Sequence, residues 1–338
     1  MKKGFAIAGN MIVDVTKVIS AFPVRHELVD IVHREYSLGG LVNNVIGTLA
    51  RLDPELPLKA ISLIGEDAEG DFILRTLSPF KNIDLSLVQR EGVTSFTDVL
   101  TEADSRARTF LTFPGAMAEF DLRHIPIDKL DCDIFHVGYI FLLPKLDQPD
   151  AECGTRMARL LRDVQRAGIL TSLDVVSAVG ERFAKYVPPA LKYADYFIVN
   201  EIEAGKTVGV ALRDEREKLL TGRIPGALAR LKEMGVARWA IIHAPEGGFG
   251  LDERGAYVAL PSLRLPDGFI KGTVGAGDAF CSGALYAAYR GESLKTGIEY
   301  GIGAAACSLS EPGGADGVRP IAEARALYQS MDKQSLPC

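Results

Sequence analysis

Residues Gly272 to Phe280 read Gly-Thr-Val-Gly-Ala-Gly-Asp-Ala-Phe, a glycine-rich turn that ends in one aspartate and runs into small and apolar residues. Gly275, Ala276 and Gly277 leave three backbone N–H groups nearly unscreened by side chains. Where such a turn opens a helix, the unpaired donors of the first turn and the positive end of the helix dipole converge on one point. An anion at that point is stabilised, and Asp278 stands beside it as a base. Anion hole and base together are what phosphoryl transfer to an alcohol requires. The helix has support of its own: Phe280, Ala284, Ala287, Ala288 and Tyr289 form a mostly apolar stripe, Arg290 suits a last turn and Gly291 a stop. The plain alternative is a tight strand-to-helix turn whose aspartate caps the helix and does no chemistry.

The elements that would position this turn alternate along the chain. Phe5–Ala8, Leu58–Ile64, Ile134–Gly138, Leu170–Asp174, Tyr196–Val199 and Ala237–Ile242 read as strands. Val42–Leu52, Asp71–Leu77, Thr155–Ala167 and Ile224–Met234 read as helices, the last two stopped by Gly168 and Gly235. Strands separated by helices of this length predict an α/β fold: a central, mostly parallel sheet with helices on both faces. Loops after the strand C-termini build the site in such sheets. Asn10, Gly65, Gly138, Asp174, Asn200 and His243 all fall at such ends, so one site is expected there. Two segments, about 14–38 and 93–114, break the rhythm with partial polar–apolar alternation and read as antiparallel strands.

Composition bounds the partners. The 338 residues can bury a large core, and 47% hydrophobic with 24% charged residues is ordinary for a globular protein. A net charge of −6 with no strong Lys/Arg cluster argues against a nucleic-acid partner. No apolar stretch is long enough for a membrane span, and the short apolar run after Met1-Lys2-Lys3 reads as a first strand rather than a signal peptide. The five cysteines, Cys132, Cys153, Cys281, Cys307 and Cys338, show no CxxC spacing and read as reduced thiols of a cytoplasmic protein. Three patterns are set aside. Gly205-Lys206-Thr207 lacks the first glycine of a phosphate loop, because position 200 is Asn200. Gly301-x-Gly303-x-x-Ala306 follows no strand and reads as close helix packing. His26, His33, His124, His136 and His243 lack metal-ligand spacing.

These motifs together resemble the PfkB, or ribokinase-like, family of sugar kinases. Gly275-Ala276-Gly277-Asp278 reproduces the core of that family's second signature. Gly39-Gly40-Leu41-Val42-Asn43-Asn44 resembles the first, Gly65-Glu66-Asp67-Ala68-Glu69-Gly70 its G-x-D-x-x-G, and Asn200-Glu201-Ile202-Glu203 its N-x-x-E. The resemblance implies one ribokinase-like domain over residues 1–338, with segments 14–38 and 93–114 as a small β lid over the acceptor and a homodimer formed through that lid. It implies ATP and Mg²⁺, with Asp278 as base and Gly275, Ala276 and Gly277 as anion hole. Asp14, Gly39, Gly40, Asn44 and Arg108 would meet the acceptor. Gly39-Gly40 would also serve as hinge, and Arg108 would either reach a substrate anion or cover the lid. Asn200, Glu203, His243 and Gly248 would meet the nucleotide, and Glu203 would serve Mg²⁺ through water.

The departures carry information too. Gly272 and Val274 stand where the family has Asp and Thr, which puts monovalent-cation activation in doubt. His243-Ala244-Pro245 replaces T-x-G, and Asp174 is followed by Val175-Val176-Ser177 rather than the D-x-N common in fructose- and ketogluconate-type members. The leading expectation is an ATP-dependent kinase acting on a hydroxyl, a primary alcohol, of a sugar or sugar derivative. A nucleoside kinase of the same fold is the alternative, with Phe113, Tyr139 and Phe141 as possible base-lining residues. A non-catalytic sugar- or nucleotide-binding regulator comes third.

Overall fold

The computed structural model describes residues 3–105, 107–177 and 182–337; Met1, Lys2 and Cys338 therefore lie outside the described residues. The first half contains β1 (Phe5–Gly9), β2 (Ile12–Ile19), β3 (Ile31–Gly39), α1 (Leu41–Leu52), β4 (Leu58–Ile64), α2 (Ala68–Leu77), β5 (Ile83–Arg90), β6 (Phe96–Glu102), β7 (Arg108–Phe113) and β8 (Ile134–Ile140). It continues through the short pair β9 (Pro149–Asp150) and β10 (Gly154–Thr155), then α3 (Arg156–Arg166), β11 (Leu170–Val175), α4 (Phe183–Leu191), β12 (Tyr196–Asn200), α5 (Glu201–Val208) and α6 (Ile224–Glu233). The last elements are β13 (Trp239–Ala244), β14 (Gly247–Leu251), β15 (Tyr257–Pro261), α7 (Ala276–Arg290), α8 (Leu294–Ser308) and α9 (Ile321–Ser330).

Nine strands form the central sheet in the order β15-β14-β13-β12-β11-β8-β1-β4-β5. The run from β13 to β5 is parallel, and β14 and β15 add an antiparallel edge. Alternation along each strand splits the core in two. Phe197, Val199, Ala240 and Ile242 face one apolar cluster with α3, α4 and α6, while Tyr196, Ile198, Trp239 and Ile241 face the other with α1, α7, α8 and α9. Both faces are therefore covered, which is why these strands read as continuous apolar runs.

A second sheet of four strands, ordered β3-β2-β6-β7, is built from residues 12–39 and 96–113. The β2–β3 and β6–β7 pairs are antiparallel, but β2 and β6 run parallel, a pairing that antiparallel hairpins alone do not anticipate. The chain reaches β6 only after crossing the main sheet through β4, α2 and β5, so β6 re-enters beside β2 in the same direction. Asp67 ties this sheet to the main one. It accepts from Gly70 N at 2.9 Å, capping α2, and from Thr94 N at 2.6 Å just before β6.

Gly205 and Lys206 lie inside α5, and Gly301 and Gly303 inside α8, so neither tempting fingerprint forms a loop. A β-carbon on Gly303 would lie 2.4 Å from Ala324 O, so that glycine serves helix packing. Among the described residues no helix is long and apolar enough to cross a membrane. Cys132, Cys153, Cys281 and Cys307 are buried and unbridged.

Candidate active site

The decisive turn adopts the helix start that its glycines allow. Gly275 sits at φ +74° before the first residue of α7, a left-handed conformation that favours glycine, and no side chain caps the helix. The capping-aspartate alternative fails here, because Asp278 lies inside the first turn with its carboxylate turned inward. There Oδ1 accepts from Tyr139 Oη at 2.6 Å and Oδ2 accepts from Asn44 Nδ2 at 2.8 Å. Helices α1 and α7 and strand β8 thus clamp one buried carboxylate from three sides. Burial pushes its pKa up to about 6, while the hydrogen bonds from Tyr139 and Asn44 pull it down. Burial also pushes the Tyr139 phenol well above its ordinary range, with repulsion from Asp278 and Asp174 adding to it, so Tyr139 acts as a donor.

The cradle is walled on both sides. A β-carbon on Gly275 would lie 2.7 Å from Gly314 Cα and O, so the loop at Glu311–Gly314 backs directly onto it. On the other side, a β-carbon on Gly277 would lie 3.4 Å from His243 Cε1. The His243 ring stacks on Phe280 with centroids 4.8 Å apart, and burial pushes it down to about 4, so it is neutral near pH 7. A cavity of about 510 Å³ opens beside the cradle. Asn200, His243, Thr273, Ala276 and Gly277 line it together with the apolar side chains of Leu263, Leu265, Ile270, Ile302 and Leu309.

Asn200 and Glu203 form a reciprocal capping box at the start of α5. Glu203 N donates to Asn200 Oδ1 at 2.9 Å and Asn200 N donates to Glu203 Oε2 at 3.1 Å. Ser177 Oγ donates to the other Glu203 oxygen at 2.9 Å. Burial pushes Glu203 upward despite these donors, and it pushes Asp174 upward as well, with repulsion from Glu203 and Asp278. A cation nearby would relieve that repulsion. Among the described residues no three His, Cys, Asp or Glu side chains are grouped to hold a metal. The donor set therefore fits Mg²⁺ only as an ion whose main ligands are phosphate oxygens and water, the usual habit of this cation.

On the acceptor side, Asp14 is partly buried on β2 and no hydrogen bond reaches its carboxylate among the described residues, and burial pushes it up to about 6. A β-carbon on Gly39 would lie 2.3 Å from Asp14 Oδ2, so glycine is required to let that carboxylate stand there. Gly40 has φ +85°, and a β-carbon there would lie 2.6 Å from Asn10 O.

Three expectations are redirected. Asn44 is turned to Asp278 rather than to open space, so it holds that carboxylate. Arg108 stands exposed at the outer end of β7, opposite Thr101 and four residues beyond the Thr97–Thr112 row that registers with Asp14. It is not brought to the site. Gly248 does not line the cavity; a β-carbon there would lie 2.5 Å from Ile298 Cγ2, so its role is to admit α8 against β14. Of the possible base-lining aromatics, Phe113 packs on Phe96 at 5.3 Å and Phe141 is buried against Phe183 at 4.7 Å. Only Tyr139 reaches the site, and its bond to Asp278 spans 139 positions, a pairing that no local pattern signals.

The match to the pfkB family carbohydrate kinase description runs over residues 3–321. The chain belongs to the pfkB family of carbohydrate kinases. This kinase is 28% identical over 126 residues to a 5-dehydro-2-deoxygluconokinase of Listeria monocytogenes, a stretch covering 36% of this chain and 38% of that relative. Its fold is that of an Arabidopsis thaliana ribokinase complexed with ribose and ATP, with a TM-score of 0.79 at 18% identity over 97% of this chain and 99% of that one. A Methanocaldococcus jannaschii nucleoside kinase superposes with a TM-score of 0.73 at 16% identity, over 97% and 98% of the two chains. The family is one of carbohydrate kinases, and the fold of this chain is the ribokinase-like one.

Proposed function

We propose that this kinase transfers the γ-phosphoryl group of ATP to a hydroxyl, a primary alcohol, of a sugar or sugar derivative, with Asp278 as general base. The observation that carries the reading is a buried carboxylate, held by Tyr139 and Asn44, in the first turn of a helix whose N-terminus has no side-chain cap. MgATP supplies the phosphoryl group and neutralises its charge. The chain's own residues do the rest. Asp278 takes the proton of the acceptor hydroxyl while Asn44 and Tyr139 keep its carboxylate in place. The N–H groups of Gly275, Ala276 and Gly277 stabilise anionic oxygen at the cradle, where positioning and charge stabilisation carry most of this chemistry. Asp14, with no partner of its own, accepts hydrogen bonds from acceptor hydroxyls. Asn200 and Glu203 serve Mg²⁺ through water, and His243 faces the nucleotide.

The β2–β3–β6–β7 sheet acts as a lid that keeps water from the transferring group, with Gly39-Gly40 at its root. Val32, Phe110 and Leu111 are exposed on it, and its outer edges are β3 and β7, so we assign it also as the contact of a homodimer. Unbridged buried cysteines suit a reducing cytoplasm. A sugar is favoured over a nucleoside because Phe141 is buried against Phe183 while the Asp14 carboxylate is offered to hydroxyls. ATP turnover across a panel of sugars and nucleosides tests the reading. Asp278→Asn should keep the fold and nucleotide binding and lower kcat by about 10² to 10⁴. Near wild-type turnover in that variant would overturn the assignment.

A further inference from the structure

A strap, residues 331–337, follows α9 and borders the 510 Å³ cavity at Gln334. Several contacts hold it. Gln334 N donates to Ser262 O at 2.9 Å, Lys333 and Leu263 pair as an isolated bridge, and Thr221 Oγ1 donates to Pro337 O at 2.7 Å. Leu336 packs toward the core beside Gly247, where a β-carbon would lie 2.8 Å from Leu336 Cδ2. The strap brings one polar side chain to the cavity wall, Gln334. Its Nε2 donates to Leu263 O at 3.1 Å and to Pro245 O at 3.2 Å. Those two carbonyls use both amide hydrogens, so the carboxamide cannot flip without losing both bonds. Its Oε1 is left as an acceptor with no partner among the described residues. Ser262 also lines the cavity, and Leu263, Leu265, Ile270 and Leu309 make the wall mostly apolar.

A flat, mostly apolar slot with one fixed acceptor, next to an anion cradle, suits a purine nucleotide carrying an amine on its ring edge. We infer that Gln334 is the residue that selects the base of the nucleotide, accepting a hydrogen bond from the exocyclic amine of adenine through Oε1. A 6-oxo purine turns a carbonyl to that oxygen instead. Two acceptors then face each other, and the site discriminates through the unmade bond. Gln334 is only half-buried, so the preference should be modest, roughly tenfold in affinity. The inference rests on the nucleotide occupying this cavity.

Calorimetric binding of ADP and IDP, which differ at the 6-position, tests it without turnover. Wild type should bind ADP roughly tenfold more tightly than IDP. Gln334→Leu and Gln334→Met should bind both with the affinity that wild type shows for IDP, and unchanged IDP affinity would show the strap still seated. Equal affinities in wild type, or a preference that persists in both variants, would overturn the role of Gln334 and leave the kinase assignment standing. Failure of folded wild type to bind either nucleotide would overturn the assignment of the cavity itself.

Discussion

Tyr139→Phe separates a base held by its neighbours from a base that merely sits near them. The substitution removes one oxygen and keeps the ring, and so leaves no buried donor unpaired. What is lost is the 2.6 Å hydrogen bond to Asp278 Oδ1, while the Asn44 bond at 2.8 Å stays. A hydrogen bond to a charged acceptor contributes about 1.5–3 kcal/mol, equivalent to about one to two pH units in the carboxyl's titration. The sign follows from the chemistry. The bond favours the ionised carboxylate, so its loss raises the pKa, and activity falls as pH drops through that value because the base must be ionised. Burial already holds Asp278 up at about 6. The acid limb of kcat/KM for the acceptor, measured at saturating ATP, should therefore move up by about one to two pH units relative to wild type. Near pH 7 that is roughly a two- to tenfold loss, and it should vanish by about pH 9. The melting temperature should fall by only a few degrees, and ADP affinity should be unchanged. An acid limb that stays in place, or a deficit equal at every pH, would refute the reasoning.

Gly275→Ala forces a β-carbon to within 2.7 Å of the Gly314 backbone at φ +74°. The left-handed conformation alone costs about 1–2 kcal/mol, so the melting temperature should fall by a few degrees and kcat by at least about tenfold, read by calorimetry and turnover. Gly272 offers no carboxylate beside the cradle, so replacing K⁺ by a large organic cation should leave the rate within about twofold; strong K⁺ activation would mean that backbone carbonyls such as Glu311 O and Pro312 O bind the ion. Gly40→Val places a branched side chain where φ is +85° and Asn10 O is 2.6 Å from the β-carbon position. It should raise KM for the acceptor and lower kcat with ADP binding little changed, whereas equal losses on both sides would place the hinge elsewhere. Sedimentation should show a dimer at micromolar concentration, and a strict monomer would require the exposed lid strands to be covered in some other way.

The alternation of strands and helices was legible because it is local. Leu58–Ile64 was bounded correctly from its apolar run and its terminal glycine, and the helix after Gly275 from its apolar stripe and Gly291. The cradle was legible for the same reason: consecutive glycines before an aspartate restrict what one short turn can do. Asn200 and Glu203 were found as a pair through the N-x-x-E resemblance, and the structure makes that spacing of three a capping box. What the chain's order could not reveal is which distant groups share a carboxylate. Asn44 lies 234 positions from Asp278 and Tyr139 lies 139 away, and they meet only because α1 and β8 are packed beside α7 by the order of the main sheet. The parallel pairing of β2 with β6 depends on the chain passing through β4 and β5 at one edge of the main sheet before it returns. Whether Arg108 reaches a substrate anion or covers the lid was left open, because sequence distance to the lid says nothing of how far along a strand a side chain stands. Local patterns record backbone conformation and periodicity, whereas hydrogen-bond partners and burial, and therefore the pKa of Asp278, depend on packing between elements remote in sequence.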